Sequence, residues 1–196
     1  IATGDGYRFG PRHLDFHPTG PWVYVSVETQ NELYVYKREG DALRADPIFT
    51  RDILAGPSNT RQLAGAIHVH PSGRTLYCAN RDHMPQPFEG KEVVIGADNT
   101  LAVYSIDPAT GEPSAIQHID AAGICPRAFA LDPSAHMLVA ANAEPRWAKQ
   151  GDQVRWMPPS LAVFGVLEDG RLEFKRKYEV DPAPQENLSW MGIVAY

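Results

Sequence analysis

The sequence lacks the features that mark several large classes of protein. Its 196 residues hold 18 Lys and Arg against 24 Asp and Glu, a formal net charge of −6, whereas nucleic-acid-binding proteins usually carry a basic surplus. No apolar run approaches the roughly 18 residues that a membrane-spanning helix needs. Cys78 and Cys125 are too few for a disulfide scaffold, and neither has the spacing of a zinc ligand. We therefore expect no nucleic-acid partner and no membrane insertion.

Common catalytic signatures are missing as well. The sequence has no Gly-x-Ser-x-Gly nucleophile motif, no Gly-rich phosphate-binding loop and no convincing amphipathic helix. Ile1 is not an initiator methionine and no signal peptide is visible. The start of the chain therefore does not report its location, for which we expect the cytoplasm.

What the chain does contain is a repeat. Residues 11–20, 65–74 and 126–134 each join a short alternating strand to a His/Asp-Pro-Ser/Thr turn, and a second strand follows at residues 22–28, 75–81 and 136–143. Proline presets φ in such a turn, and glycine at its end admits a positive φ, so the turn suits two antiparallel strands. The 17 prolines and 16 glycines lie between short apolar runs, which is typical of a turn-rich β protein.

Each copy continues into a third, apolar strand, at residues 33–36, 101–104 and 161–164, and a charged outer strand follows, as at residues 171–175. Four strands per unit of about 40 to 60 residues are typical of a β-propeller blade. The rival, a Greek-key sandwich, does not require the same turn in every unit. We predict an all-β chain, residues 1–196, that forms a single partial propeller of about three four-stranded antiparallel blades. Because propellers close with roughly four to eight blades, the N-terminal blades must come from the same or another chain.

Residues 10–18, 66–77 and 126–129, with the closing residues 190–196, resemble the lactonase family of propellers, which contains propeller-type 6-phosphogluconolactonases and carboxymuconate cyclases. The resemblance implies a seven-bladed ring and a final apolar strand, and it places Tyr196 close to a natural C-terminus. Residues 82–99 and 144–159 depart from the family's short turns. Their proline and tryptophan content predicts structured loops, which often shape a binding site on one rim of a scaffold.

The candidate site follows from position within the repeat. Arg12 and Arg127 start first strands, while Glu28 and Arg81 end second strands. Since the two strands are antiparallel, all four residues should converge on one mouth of the central channel. Guanidinium groups bind carboxylates and phosphates through two parallel hydrogen bonds, so the expected ligand is a small anion. The alternative is a purely structural role, in which each arginine pairs with a carboxylate of the neighbouring blade and holds the ring together.

The family resemblance implies that Arg12, Glu28 and Arg81 are active-site residues, and that a catalytic histidine lies in an earlier blade. We assign catalysis to Glu28, Arg12 and Arg81. We assign substrate binding to Arg127, His13 and His68. A metal pair formed by His68 and His70 would need a third ligand that the sequence does not offer at useful spacing, so we expect no metal and no cofactor. His17 and His70 are expected to form turn hydrogen bonds.

Three functions compete at this point. The first is a metal-independent lactonase that hydrolyses a small anionic sugar lactone, with 6-phosphogluconolactone as the leading substrate. The second is a carboxymuconate-type lactonising enzyme, a cycloisomerase. The third is a non-catalytic propeller that binds a partner through its rim, a role that the charged mouth disfavours because protein-binding surfaces are depleted of charge at their centre.

Overall fold

The computed structural model describes residues 9–58, 60–82, 84–95, 98–181 and 187–194. These residues form seventeen β-strands and no helix. In chain order the strands are β1 (Pro11–Phe16), β2 (Trp22–Val27), β3 (Glu32–Glu39), β4 (Ala42–Leu43), β5 (Phe49–Asp52), β6 (Leu63–Val69), β7 (Thr75–Arg81), β8 (Gln86–Phe88), β9 (Lys91–Val94), β10 (Thr100–Ile106), β11 (Pro113–Asp120), β12 (Pro126–Leu131), β13 (Met137–Asn142), β14 (Arg146–Gln150), β15 (Gln153–Met157), β16 (Ser160–Val166) and β17 (Leu172–Glu179).

Three sheets correspond to the three sequence repeats. Blade 1 has the order β1-β2-β3, with β5 beside β3 and the short β4 pairing with the end of β3; blade 2 has the order β6-β7-β10-β11; and blade 3 has the order β12-β13-β16-β17. Every pair within these blades is antiparallel. The prediction of four-stranded blades from the repeated strand-turn-strand unit is thus confirmed.

The same hydrogen bond closes the first turn of each blade. The amides of His17, His70 and Asp132 each donate to the carbonyl five residues later, at 2.9 Å in all three blades. The side chains of two of these residues also link the blades. Nε2 of His17 lies 2.9 Å from the Gly73 carbonyl, and Nε2 of His70 lies 3.1 Å from the Ala135 carbonyl. The prediction that both histidines form turn hydrogen bonds is confirmed.

Apolar side chains fill the two seams between the blades. One buried cluster joins blade 1 to blade 2, and a second joins blade 2 to blade 3. Each seam also carries a buried tyrosine at the same repeat position. The Tyr24 hydroxyl donates to the Gly111 carbonyl at 3.0 Å, and the Tyr77 hydroxyl donates to the Gly170 carbonyl at 2.9 Å. Repeated seams of this kind fix the blades side by side, with the inner strands β1, β6 and β12 adjacent.

The face of blade 1 that points away from blade 2 is exposed. Leu14 is 54% exposed, whereas Ile67 and Phe129, its counterparts in the other two blades, are 1% and 2% exposed. Ile67 and Phe129 each pack against a preceding blade. Leu14 belongs to a face of the same kind, and no residues within the described ranges form a preceding blade against it.

The prediction of loops at residues 82–99 and 144–159 was wrong. The two insertions form hairpins, β8 with β9 and β14 with β15, that join in a mixed sheet of order β15-β14-β9-β8. The joining pair is parallel, with Trp147 opposite Val93 and Ala148 opposite Val94. β-Branched and aromatic residues favour strands, and burial of Val93, Val94 and Ala148 accounts for the pairing of two segments that are distant in sequence.

The expected apolar strand at residues 190–196 is also absent from the part of that segment that the structure describes. Residues 187–194 form no strand, and residues 195 and 196 lie outside the described ranges. In this stretch the Leu188 amide donates to the Ala143 carbonyl at 3.3 Å, while Trp190 is 80% exposed. A strand needs a neighbour for its backbone hydrogen bonds, and residues 190–194 have none here.

Candidate active site

β-Bulges place two of the predicted arginines. In all three blades the register between the first and second strands shifts at the same point, between Pro11 and His13, between Ala64 and Ile67, and between Pro126 and Ala128. Arg12 and Arg127 are the residues at the shift in blades 1 and 3. A bulge turns a side chain away from the regular alternation of a strand and is common beside active sites.

Blade 2 leaves little room for a side chain at this position. Gly65 stands there, and a Cβ atom on it would lie 3.0 Å from the Ala79 Cβ and 3.2 Å from the Ala79 carbonyl oxygen. Blade 2 contributes to the mouth through the end of its second strand instead, where Arg81 is 2% exposed.

Glu28 holds the centre of the cluster. Its Oε1 accepts a hydrogen bond from Nη1 of Arg12 at 2.7 Å and a second from Nη2 of Arg81. The Glu28 side chain keeps 28% of its surface exposed, against 16% for Arg12 and 3% for Arg81. Backbone bonds fix the residue on both sides, since its amide donates to the Gly10 carbonyl and its carbonyl accepts from Ala64. The structure therefore brings the three residues predicted to be catalytic into direct contact.

Arg127 stands apart in its bonding. The residue is half-buried, and its side chain forms no ion pair or hydrogen bond with any residue in the described ranges. It lies close enough to Arg12 to act on it. Burial lowers the pKa of Arg12, and the Arg81 guanidinium lowers it further. The Glu28 carboxylate opposes this decrease, whereas the Arg127 guanidinium adds to it. The mouth thus carries three guanidinium groups around one carboxylate, and one guanidinium is unpaired.

His13 and His68 lie beside the arginine cluster. Partial burial, followed by the Arg12 guanidinium, lowers the pKa of His13 from its usual 6.5. Nδ1 of His68 lies 3.6 Å from Oδ2 of Asp15, and the His68 ring packs edge-on against Phe129 with centroids 5.0 Å apart. Asp15 also accepts the Val69 amide at 2.8 Å. In the described part of the chain, no three His, Cys, Asp or Glu side chains form a group that could hold a metal ion.

The sequence interpretation missed residues that border the cluster from blade 3. Burial raises the pKa of the Cys125 thiol. The Arg81 and Arg127 guanidinium groups lower this pKa, and the Glu144 carboxylate raises it further, so all three charges lie near the thiol. Glu144 pairs with Arg146 at 2.5 Å. The sequence did contain a signal for Glu144. Ala143 occupies the repeat position of Glu28 and Arg81, and Glu144 is the next residue. The mixed sheet packs beside this region through Val94, Ala148 and Met157.

Comparison with known proteins decides the family. The sequence profile described as lactonase, 7-bladed beta-propeller, matches residues 6–147. The chain belongs to the lactonase seven-bladed β-propeller family. The sequence-based assignment to lactonase propellers is therefore confirmed, as is the all-β propeller fold. The loop insertions and the closing strand are the parts of the fold prediction that the structure corrects.

Similar proteins include curated 6-phosphogluconolactonases. A 6-phosphogluconolactonase of Bacillus subtilis is 30% identical over 69% of this chain and 34% of the relative. One of an Enterobacter species is 29% identical over 100% of this chain and 49% of the relative. Among solved structures, a periplasmic gluconolactonase of Pseudomonas aeruginosa superposes with a TM-score of 0.66 and 26% identity, over 87% of this chain and 40% of that one.

This lactonase propeller chain thus spans about a third to a half of the curated relatives that it matches. Within the ranges that the structure describes, no helix is long and apolar enough to cross a membrane.

Proposed function

We propose that the full-length protein is a metal-independent lactonase that hydrolyses a small anionic sugar lactone, with 6-phosphogluconolactone as its substrate. The observation that carries the proposal is the unpaired guanidinium of Arg127 beside the Arg12–Glu28–Arg81 group. An arginine without a carboxylate partner, in a cluster that already has surplus positive charge, is ready to bind an anion. The curated relatives named 6-phosphogluconolactonase support this substrate.

The geometry suggests how the reaction would proceed. Oε1 of Glu28 is held by two arginines, while its Oε2 accepts no hydrogen bond from the described residues. Oε2 would take a proton from water as the water oxygen attacks the lactone carbonyl carbon. A guanidinium would stabilise the tetrahedral oxyanion. The ring ester bond then breaks, and the leaving ring oxygen receives the proton and becomes a hydroxyl group.

Arg127 would bind the phosphate group in this scheme, and His13 would contact the substrate. With its lowered pKa, His13 remains neutral near neutral pH, so one ring nitrogen can accept a hydrogen bond from a sugar hydroxyl. His68 is held beside Asp15 and would line the substrate's path from the channel side.

We also propose that the remaining blades complete the site and the ring. The exposed Leu14 and Phe16 support a preceding blade on the open face of blade 1. The family resemblance places a catalytic histidine in such a blade. On this basis residues 1–196 belong to one propeller, whose other blades come from the same or another chain. The cytoplasm stays our proposed location; the two free, buried cysteines are compatible with a reducing compartment.

A cycloisomerase of the carboxymuconate type is the second candidate. The same observation favours it, because three arginines around one carboxylate would also hold a ligand with several carboxylates. In that case Glu28 would move a proton at carbon.

The deciding experiment assays the full-length protein on both substrates. We expect hydrolysis of 6-phosphogluconolactone, measured by release of 6-phosphogluconate, and no lactonisation of carboxymuconate. Lactonisation without hydrolysis would replace the first candidate by the second. Absence of both activities in a folded protein would favour a binding role for the propeller.

A further inference from the structure

Asn99 connects the strand end that carries Arg81 to the strand start that carries Arg127. The residue is 6% exposed and directly precedes β10, the third strand of blade 2. Its side-chain Oδ1 accepts the amide of Asp82 at 3.2 Å and the amide of Cys125 at 2.8 Å. Asp82 directly follows Arg81, and Cys125 lies two residues before Arg127. One buried oxygen atom therefore joins the two chain segments that place these arginines.

A backbone hydrogen bond makes the corresponding connection between blades 1 and 2. There the Ala64 amide donates to the Glu28 carbonyl at 3.1 Å. Pro126 occupies the position of Ala64 in blade 3, as the pairing of both residues with the second strands of their blades shows. Proline has no amide hydrogen. The same backbone bond therefore cannot form between blades 2 and 3.

The Asn99 side chain takes the place of this missing bond. It binds the amide of Cys125, the residue directly before Pro126. Because proline has a fixed φ, the position of Cys125 restricts where β12 begins, and Arg127 is the second residue of that strand. The Cys125 thiol also lies near the guanidinium groups of Arg81 and Arg127. The segment that Asn99 holds thus borders both arginines.

The counterparts of Asn99 in the other blades form no such connection. Asn31 and Pro159 directly precede the third strands of blades 1 and 3. Neither polar atom of the Asn31 side chain has a hydrogen-bond partner among the described residues, and a proline side chain has no polar atom. Nδ2 of Asn99 is unpaired as well, so the connection depends on its Oδ1. Among the described residues at this repeat position, only Asn99 joins two blades through its side chain.

We propose that Asn99 is a positioning residue of the anion site, which sets the placement of the Arg81 and Arg127 guanidinium groups relative to each other. Two guanidinium groups bind one anion together only when their donors lie at matching places, and a misplacement of about 1 Å can lower a rate about 10²-fold. Asn99 acts through the backbone and not by contact with the substrate. The role rests on the proposed function, because it concerns the anion that these arginines bind.

Steady-state kinetics of the full-length protein on 6-phosphogluconolactone test this role. Asn99→Ala removes the acceptor oxygen. We expect KM to rise at least tenfold while kcat stays within about threefold of the wild-type value, because Glu28 keeps its own backbone bonds. A loss of folded protein alone would lower the apparent kcat and leave KM unchanged. Asn99→Ser, which keeps an acceptor of shorter reach, should raise KM in the same direction and serves if the alanine variant does not fold.

Gln117→Ala is the matched control. The Gln117 amide also binds the backbone of the next blade twice, since it donates to the Leu172 carbonyl at 2.8 Å and accepts the Leu172 amide at 2.7 Å. These bonds join the outer strands β11 and β17, so KM should keep its wild-type value. Asn99→Ala combined with Arg127→Ala should raise KM by less than the product of the separate effects, because both substitutions act on the same arginine.

Two kinetic results would overturn the role of Asn99 in an active enzyme. They are a wild-type KM in Asn99→Ala, and an equal rise of KM in Asn99→Ala and Gln117→Ala. An inactive wild-type protein would instead count against the proposed lactonase function, and isothermal titration calorimetry with inorganic phosphate then tests Asn99. A Kd at least tenfold higher in Asn99→Ala, but not in Gln117→Ala, would support the role. An unchanged Kd, or no phosphate binding by the wild type, would overturn it.

Discussion

Arg12 and Arg81, which come from neighbouring blades, donate to the same oxygen atom of Glu28. One carboxylate oxygen is therefore fixed from two sides while the other remains available at the mouth of the channel. Such a contact serves structure, since it ties blade 1 to blade 2. In the proposed mechanism it also orients a base toward a ligand held by the surrounding positive charge. Substitutions at Glu28 and Arg81 separate these two roles.

Glu28→Gln should lower turnover at least a hundredfold and leave KM within about threefold of the wild-type value. Glutamine keeps the shape of the side chain and one acceptor oxygen for the arginines, but it cannot take a proton, and general base catalysis typically contributes 10²–10⁴-fold. Steady-state kinetics of the full-length protein give both constants. Glu173→Gln, an exposed carboxylate of blade 3 that pairs with Lys175, is the matched control. Wild-type turnover in Glu28→Gln would reduce the contact to a structural one.

Arg81→Ala should act mainly on binding. The side chain is 3% exposed, and losing one partner from a buried, charged hydrogen-bonded group costs roughly 2–4 kcal/mol. We expect a corresponding rise in KM, and the same loss of affinity for a competitive anionic inhibitor. Arg51→Ala removes an arginine that pairs with Glu112 away from the mouth, and its KM should stay unchanged. Equal effects of both substitutions would argue against a special role for Arg81.

The lowered pKa of His13 gives the protein a pH dependence of stability. Between the lowered value and 6.5 the unfolded chain binds a proton that the folded protein does not. The free energy of unfolding should therefore decrease as the pH falls below 6.5. In His13→Gln this part of the decrease should vanish. Denaturant unfolding of both proteins between pH 5 and 8 measures the difference, and an identical slope in both would show that His13 titrates normally.

The tyrosines in the seams should contribute measurably to stability. Tyr24→Phe removes the hydrogen bond to the Gly111 carbonyl and should cost about 1 kcal/mol, which is typical of one buried hydrogen bond. Tyr178 is 51% exposed, so Tyr178→Phe should change stability by less than half as much. The melting temperatures of the full-length variants provide the comparison, and a seam variant as stable as the surface variant would contradict the account.

The blades themselves could be predicted because their signals are local. Each turn, such as that from His17 to Gly20, lies between two strands that pair with each other, and the pattern occurs three times. The convergence of Arg12, Glu28 and Arg81 followed from the same repetition, since equivalent positions of adjacent blades lie at the same end of the channel.

The remaining features depend on contacts that have no local signal. The mixed sheet pairs Val93 with Trp147, which are far apart in sequence, and nothing within either segment specifies the other. The bulges at Arg12 and Arg127 arise from register with the second strand. Asn31 and Asn99 directly precede the third strands of blades 1 and 2, but only Oδ1 of Asn99 accepts a hydrogen bond, from the amide of the distant Cys125.

The unpaired guanidinium of Arg127 is proposed to bind the anionic group of the substrate. The most direct test compares the kcat/KM of the full-length protein for 6-phosphogluconolactone and for gluconolactone, which lacks the phosphate, in the wild type and in Arg127→Ala. If Arg127 binds the phosphate, the wild type should prefer the phosphorylated lactone, and Arg127→Ala should lose at least tenfold of that preference while its activity on gluconolactone changes little. Equal loss on both lactones, or an unchanged preference, would contradict the claim.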